Sequence, residues 1–353
     1  MVPSSRTAPA PTRRELATWM GASLLTACVG TAPPAHPRIG DLHIHLFGTG
    51  DQGSGCVLGP RIRRSATFAL LVRMLGLSAG EGFDRGYVRC LLAALDGSGL
   101  DLAALLGQDG VYDSTGRLDA ERTHWLVPAD HVFATCAERP DVLLPCPSIN
   151  PDRADAIDEL DRCVERGARM IKIHPPTQGV DVAALRHAPF FRRCADRDVL
   201  VLVHTGHEHS APVLDIGLAD PMRLEQALAI GCRVVACHAG TGRPTDSPDF
   251  LPAFLTMIRR HPRLLGDTSV LCTAGRDRDV RRLLEDGLAC TRLVHGSDFP
   301  FPAMPAAFVR DLGDRNVAAL NAERNLLLRD RAIKQALGFE ETFARAAGLL
   351  DRT

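Results

Sequence analysis

Several things are scarce in this sequence, and each absence excludes something. Charge imbalance is missing: 41 Lys and Arg stand against 42 Asp and Glu, a net charge of -1. Without a basic excess there is no electrostatic footprint for a polyanion, so nucleic acid is excluded as a partner. Beyond the N-terminal stretch there is no uncharged apolar run of about 18 residues, which excludes a polytopic membrane protein. The 11 cysteines contain no CxxC pair, so neither a zinc ribbon nor a thioredoxin-like redox site is indicated. Several, Cys146 and Cys237 among them, sit inside apolar runs, where a free thiol behaves as a small hydrophobe. They read as core, with one or two disulfides left open for an oxidising compartment. Aromatic residues are only 5%, yet 45% of the 353 residues are apolar and 24% charged, the profile of a soluble globular protein. The length admits two domains of about 150 residues each or one large α/β barrel.

The first residues read as an address. Arg13 and Arg14 precede a short apolar stretch from Leu16 to Ala27, which ends at Cys28. Residues 1–27 are therefore expected to be a signal peptide with a twin-arginine-like start. Leu25-Thr26-Ala27-Cys28 resembles a bacterial lipobox, in which the cysteine thiol is acylated. The expectation is an exported periplasmic or cell-envelope lipoprotein, held to the membrane by its lipid anchor alone. Residues 28–38 form a Pro- and Ala-rich linker, and 39–353 the folded body.

After the linker one pattern repeats: a short β-rich apolar run, a polar residue at its end, a loop, then a helical stretch. The runs are Gly40 to Ile44, Leu100 to Leu106, Val142 to Ile149, Arg169 to His174, Val199 to His204, Arg233 to His238, Arg263 to Asp267 and Arg292 to His295. Segments such as Arg153 to Arg166 and Asp220 to Ile230 carry helical spacing between them. Strand alternating with helix implies a parallel sheet. The later strand ends fall at intervals of about 30 residues, one βα unit each. The fold class expected is α/β, a (β/α)8 TIM barrel. The long interval after the first strand holds a helical insertion, Gly48 to Ser98, with helices near Thr67 to Leu77 and Tyr87 to Leu95. The tail from Val317 onward reads as two extra C-terminal helices.

In such a barrel the strand C-termini converge on one face. DLHIHLFG sets His43 and His45 two apart, on the same side of a strand. VLVHTGHEHS ends a strand at His204, VVACHAG ends the next at His238, and LVHGSDFPFP presents Asp298 beyond the last. Ionisable groups are buried only when paired or metal-bound, so this recurrence points to a divalent-metal site. GARMIKIHPPTQ adds Lys172 and His174 on a common face. His174 is read as lining the pocket. His207, in the Gly206-His207-Glu208-His209 run, is either a substrate contact or part of a solvated turn. His295 is placed beside the site, and His36, His124, His131, His187 and His261 have no catalytic duty.

With these motifs the sequence resembles the amidohydrolase superfamily, in the amidohydrolase-related branch that includes aminocarboxymuconate-semialdehyde-decarboxylase-like enzymes. The resemblance runs from His43 to about Pro302. It rests on HxH in strand 1, His at the ends of strands 5 and 6, and GSDFPFP after strand 8. It implies that His43, His45, His204 and Asp298 ligate a divalent metal, zinc first among the candidates, with His238 as acid/base beside a metal-bound water. Asp298 is the other candidate for shuttling the proton. In binuclear relatives a strand-4 lysine is carboxylated, so Lys172 either bridges a second ion, giving one or two in all, or binds a substrate carboxylate or a neighbouring acid. The activity implied is metal-dependent hydrolysis of a small molecule. Metal-dependent decarboxylation of a small carboxylic acid is the alternative, and a non-catalytic lipoprotein the third reading. Substrate identity is not written in any motif, and homo-oligomerisation is left open.

Overall fold

The computed structural model describes residues 37–351, apart from Ala79 and Glu81. The signal peptide, Cys28 and all of the linker before Pro37 lie outside the described residues. From Arg38 onward the chain forms one unit, built on eight parallel strands: β1 (Gly40–His45), β2 (Leu102–Leu106), β3 (Leu143–Cys146), β4 (Met170–Ile173), β5 (Leu200–His204), β6 (Arg233–Cys237), β7 (Leu264–Asp267) and β8 (Leu293–Val294). They pair as β1-β2-β3 and as β4-β5-β6-β7-β8. Isolated parallel bridges span both gaps, Ser148 with Lys172 and Ile44 with Phe299. The order matches the sequence-based expectation strand for strand, with ends shifted by up to three residues.

Alternation along the strands separates two layers of core. On β5, Leu200 and Leu202 face an interior cluster with Leu42, Met170, Val235 and Cys237. Val201 and Val203 face the outer layer, where they pack with Phe190, Phe191 and Phe254. Burial of this kind contributes about 1.5–3 kcal/mol per large side chain. The barrel interior is completed by Ala346 and Leu350 of the helix Glu341–Leu350. That helix approaches β1 so closely that a Cβ at Gly40 would lie 2.4 Å from the Ala347 backbone nitrogen.

The insertion after β1 carries the helices Ala66–Met74 and Phe83–Asp96, as expected. It also contains Val57–Leu58, which pairs antiparallel with Trp125–Leu126, a pair too short to show as periodicity. The tail holds three helices where two were expected: Asp314–Ala322, Leu326–Ala336 and Glu341–Leu350. The break comes from Asn325, whose side chain accepts from the Leu327 and Leu328 backbone N–H groups and starts a new helix. All ten described cysteines are free, eight of them buried. Among the described residues no helix is long and apolar enough to cross a membrane.

Candidate active site

The strand C-termini bring the expected residues to one end of the barrel. His43 and His45 both reach it by the period of two, and β1 is irregular just before them: Gly40 and Asp41 pair with Leu102 and Ala103, but the register shifts before Ile44 and His45 pair with Leu105 and Leu106. This bulge lets Leu42 face the barrel interior while the next residue, His43, still reaches the site. The His43 Nδ1–H donates to Asp267 Oδ2 at 2.7 Å, which leaves Nε2 free to face His45 Nε2 at 3.1 Å. Asp298 Oδ1 lies 3.1 Å from His43 Nε2 and 3.3 Å from His45 Nε2. Donor atoms of His43, His45 and Asp298 all fall within 4.8 Å of one another.

Backbone geometry is strained here. Asp298 has φ 65 and His238 has φ 64, in the left-handed region that non-glycine residues rarely occupy and that clusters at functional sites. Gly296 is a glycine for lack of space, since a Cβ there would lie 2.7 Å from the His43 Cβ. Its carbonyl accepts from Lys334 Nζ at 2.6 Å, and Lys334 pairs with Asp330 at 2.6 Å. Asp41 accepts from the His43 and Ser297 backbone N–H groups, tying β1 to the loop that carries Asp298.

His238 stands next to this group, its ring centroid 5.1 Å from that of His43. Ser269 Oγ–H donates to Asp267, so Ser269 Oγ accepts the Nδ1–H of His238 at 2.7 Å. The lone pair of His238 is then on Nε2, 3.1 Å from His204 Nδ1. Burial lowers His238 to about 3. Burial and the Lys172 ammonium lower His43 to about 4, against the pull of Asp267 and Asp298. Both imidazoles are neutral at pH 7. Burial pushes Asp298 upward, but the His43, His45 and His238 imidazoles more than reverse it and keep the carboxylate ionised.

Lys172 is fully buried, its Nζ 3.4 Å from His43 Nε2. The geometry places His204 in a different donor group, with His174 and Glu208. His207 lines the cavity and donates its Nε2–H to the Pro248 carbonyl at 2.8 Å. His295 is buried and lies 3.8 Å from Asp41.

The cavity above these groups measures about 230 Å³. Trp125, Phe301, Leu70 and Met304 make its apolar wall, and Arg243 and Arg276 its basic one. Arg276 is 3% exposed, and among the described residues its guanidinium makes only neutral contacts, 2.6 Å to Thr241 Oγ1 and 3.2 Å to the His207 carbonyl. Burial lowers it to about 10, so it stays charged at pH 7. Sequence reasoning missed Asp267, Glu208 and Arg276. Asp267 was visible as a strand end in the ladder, and Glu208 as the acid in GHEHS; Arg276, in a loop after β7, left no signal.

A family model described as amidohydrolase matches residues 96–334, more than half of the chain. The chain belongs to the amidohydrolase family. This amidohydrolase is an enzyme, and its barrel has solved counterparts. The uncharacterised TIM-barrel protein Bb4693 of Bordetella bronchiseptica shares 16% identity at a TM-score of 0.60, over 89% of this chain and 98% of that one. The probable 2-pyrone-4,6-dicarboxylic acid hydrolase of Acinetobacter baumannii, solved with citric acid bound, shares 13% identity at a TM-score of 0.52, over 90% of this chain and 100% of that one. At these identities the likeness is one of fold. No curated protein matches the amidohydrolase's sequence.

Proposed function

We propose that this amidohydrolase is a metal-dependent hydrolase of a small, carboxylate-bearing molecule. One observation carries the metal: Asp298 Oδ1 is buried with no hydrogen-bond partner among the described residues, while the lone-pair-bearing Nε2 of His43 and His45 Nε2 lie beside it. Acceptor atoms crowded this way, away from water, repel unless a cation lies among them. His43, His45 and Asp298 would hold the ion, with zinc the first to test and manganese the second. A divalent ion bound there supplies Lewis acidity toward a substrate oxygen and lowers the pKa of water to about 7. Asp267 holds His43 in the tautomer that leaves Nε2 available. His238, neutral and with its lone pair at Nε2, accepts a proton from the attacking water and returns it to the leaving group. Arg276, charged, buried and without an acidic contact among the described residues, binds the substrate carboxylate, and Arg243 at the exposed rim attracts it. The dicarboxylic acid named for the Acinetobacter barrel has the same charge character.

Decarboxylation is the second reading, favoured by the same basic wall: a carboxylate held by Arg276 near His238 could leave as carbon dioxide while His238, once protonated, supplies the replacing proton. Elemental analysis of wild type and His45→Ala tests the metal; turnover of a panel of lactones, amides and aromatic carboxylates separates the two chemistries. Retention of all metal by His45→Ala would overturn the ligand assignment.

Outside the described residues, the Arg13-Arg14 and Leu25-to-Cys28 motifs support export and acylation at Cys28. The full chain expressed in a bacterium should then partition with membranes, and Cys28→Ser should release it. A Cys28→Ser protein that stays in the membrane fraction would remove the lipid anchor.

A further inference from the structure

We propose that Lys334 is a positioning residue for the metal centre: together with Asp41 it clamps the peptide between Gly296 and Ser297, and so fixes where the Asp298 carboxylate stands. The inference rests on the reading above that His43, His45 and Asp298 hold the ion.

The need for a clamp starts with a glycine. Gly296 passes so close to β1 that a Cβ would lie 2.7 Å from the His43 Cβ. Glycine fits there, and glycine is also the residue whose backbone turns most freely. Two residues on, Asp298 holds φ 65, a conformation that a non-glycine residue keeps only when its surroundings fix it. A loose peptide beside a strained aspartate would let the carboxylate relax away from His43 Nε2 and His45 Nε2, which stand 3.1 and 3.3 Å from its Oδ1.

The Gly296–Ser297 peptide is gripped at both ends of its dipole. Its carbonyl oxygen accepts from the Lys334 ammonium at 2.6 Å, and its N–H, on Ser297, donates to Asp41 Oδ1 at 3.0 Å. Both groups belong to one rigid plane, so turning that plane would break the two bonds together. Asp41 Oδ1 also accepts the His43 N–H at 2.9 Å, which locks the loop to the strand that carries both histidines. Just downstream, the Asp298 N–H donates to the His43 carbonyl at 2.8 Å. Lys334 reaches this loop from the helix Leu326–Ala336, well beyond the strands that supply the ligands.

Lys334 is fully buried. Burial works against its charge, but Asp330, one helical turn earlier at 2.6 Å, holds its pKa above the ordinary lysine value. Ion pairs taken out of water add little to folding stability, and well-packed apolar residues of similar volume often serve as well or better. Stability is thus a weak reason for this pair. Among the described residues, the bond that the ammonium makes beyond Asp330 goes to Gly296.

The test separates positioning from folding. Wild type, Lys334→Met/Asp330→Leu, Asp330→Asn and His45→Ala are compared at one neutral pH. Equilibrium dialysis gives the Zn2+ affinity, absorption the spectrum of the Co2+-loaded protein, and urea unfolding the midpoint without metal. The double variant removes both buried charges at similar volume. Its urea midpoint should equal or exceed that of wild type, while Zn2+ binds about 10- to 100-fold more weakly and the cobalt spectrum shifts. Lys334→Met alone, whose Asp330 can take up a proton, repeats the measurement with a single substitution. Asp330→Asn keeps the ammonium and its bond to Gly296, so it should bind Zn2+ as wild type does. Wild-type affinity in both Lys334 variants would overturn the inference. So would an affinity that falls only in step with the urea midpoint, or an equal loss in Asp330→Asn. His45→Ala tells the two readings apart. If it binds Zn2+ like wild type, the ligand assignment fails and the inference with it; if it loses Zn2+ while the Lys334 variants do not, the inference fails alone.

Discussion

Asp267 and His43 form a fully buried pair, with His43 Nδ1 2.7 Å from Asp267 Oδ2. Through its other oxygen Asp267 accepts from the His238 backbone N–H at 2.7 Å and from the Ser269 hydroxyl that orients the His238 ring. One carboxylate on β7 thus sets the tautomers of His43, a proposed metal ligand, and of His238, the proposed acid/base. Burial pushes Asp267 upward, but the His43 and His238 imidazoles and the Lys172 ammonium overcome it and keep it ionised. Asp267→Asn should therefore fold, yet bind Zn2+ about 10- to 100-fold more weakly. Equilibrium dialysis measures this, and an unchanged affinity would remove Asp267 from the site.

His238→Asn should keep its metal and lose about 10²–10⁴ of its turnover. The ring acts through the lone pair on Nε2, which asparagine does not reproduce. Metal content and rate must come from one preparation. A proportional loss of both would make His238 a ligand instead.

Arg276→Met should abolish anion recognition while leaving the metal group intact. Methionine fills much of the arginine volume but brings no charge. Citrate serves as the probe: it should raise the Tm of wild type, and most of that increment should vanish in the variant. An equal citrate shift in both proteins would place the carboxylate elsewhere.

Asp330 supplies a pH-dependent prediction. Burial raises it from 3.8 to about 6, although Lys334 pulls the other way. A carboxyl group with a raised folded pKa contributes stability that is full below the unfolded value and is lost as pH rises through the folded one. Asn stays neutral throughout, so the stability of Asp330→Asn relative to wild type should rise as pH increases through about 6. The buried histidines are common to both proteins, so the difference reads the Asp330–Lys334 pair. Urea unfolding of both proteins below and above that pH checks it; a constant difference would refute the raised value.

The strand ladder and the polar strand ends were legible in the sequence because period-two burial and helical spacing are local properties. His45 and His204 end strands, His238 follows one directly, His43 lies two residues before His45 and Asp298 four residues beyond β8, so a parallel barrel had to bring them to one end. What the chain alone could not specify was their grouping. His204 falls with His174 and Glu208 because the loop after β5 folds back, held by Ser210 and Ala211, and turns a polar run into a buried carboxylate. Asp267 became a partner of His43 only when β7 and β1 met across the barrel, with no motif to announce it.

The sequence by itself determined the strand ladder and the polar residues at and just beyond the strand ends, since these follow from patterns over a few neighbouring positions, but it did not mark Asp267, Glu208 or Arg276 as members of the site. Tertiary structure alone decided the register slip in β1 that lets Leu42 and His43 both face inward. It also decided which ring nitrogen of each histidine holds its proton, because that depends on donors and acceptors brought from distant strands: Asp267 for His43, Ser269 for His238 and Gln108 for His174.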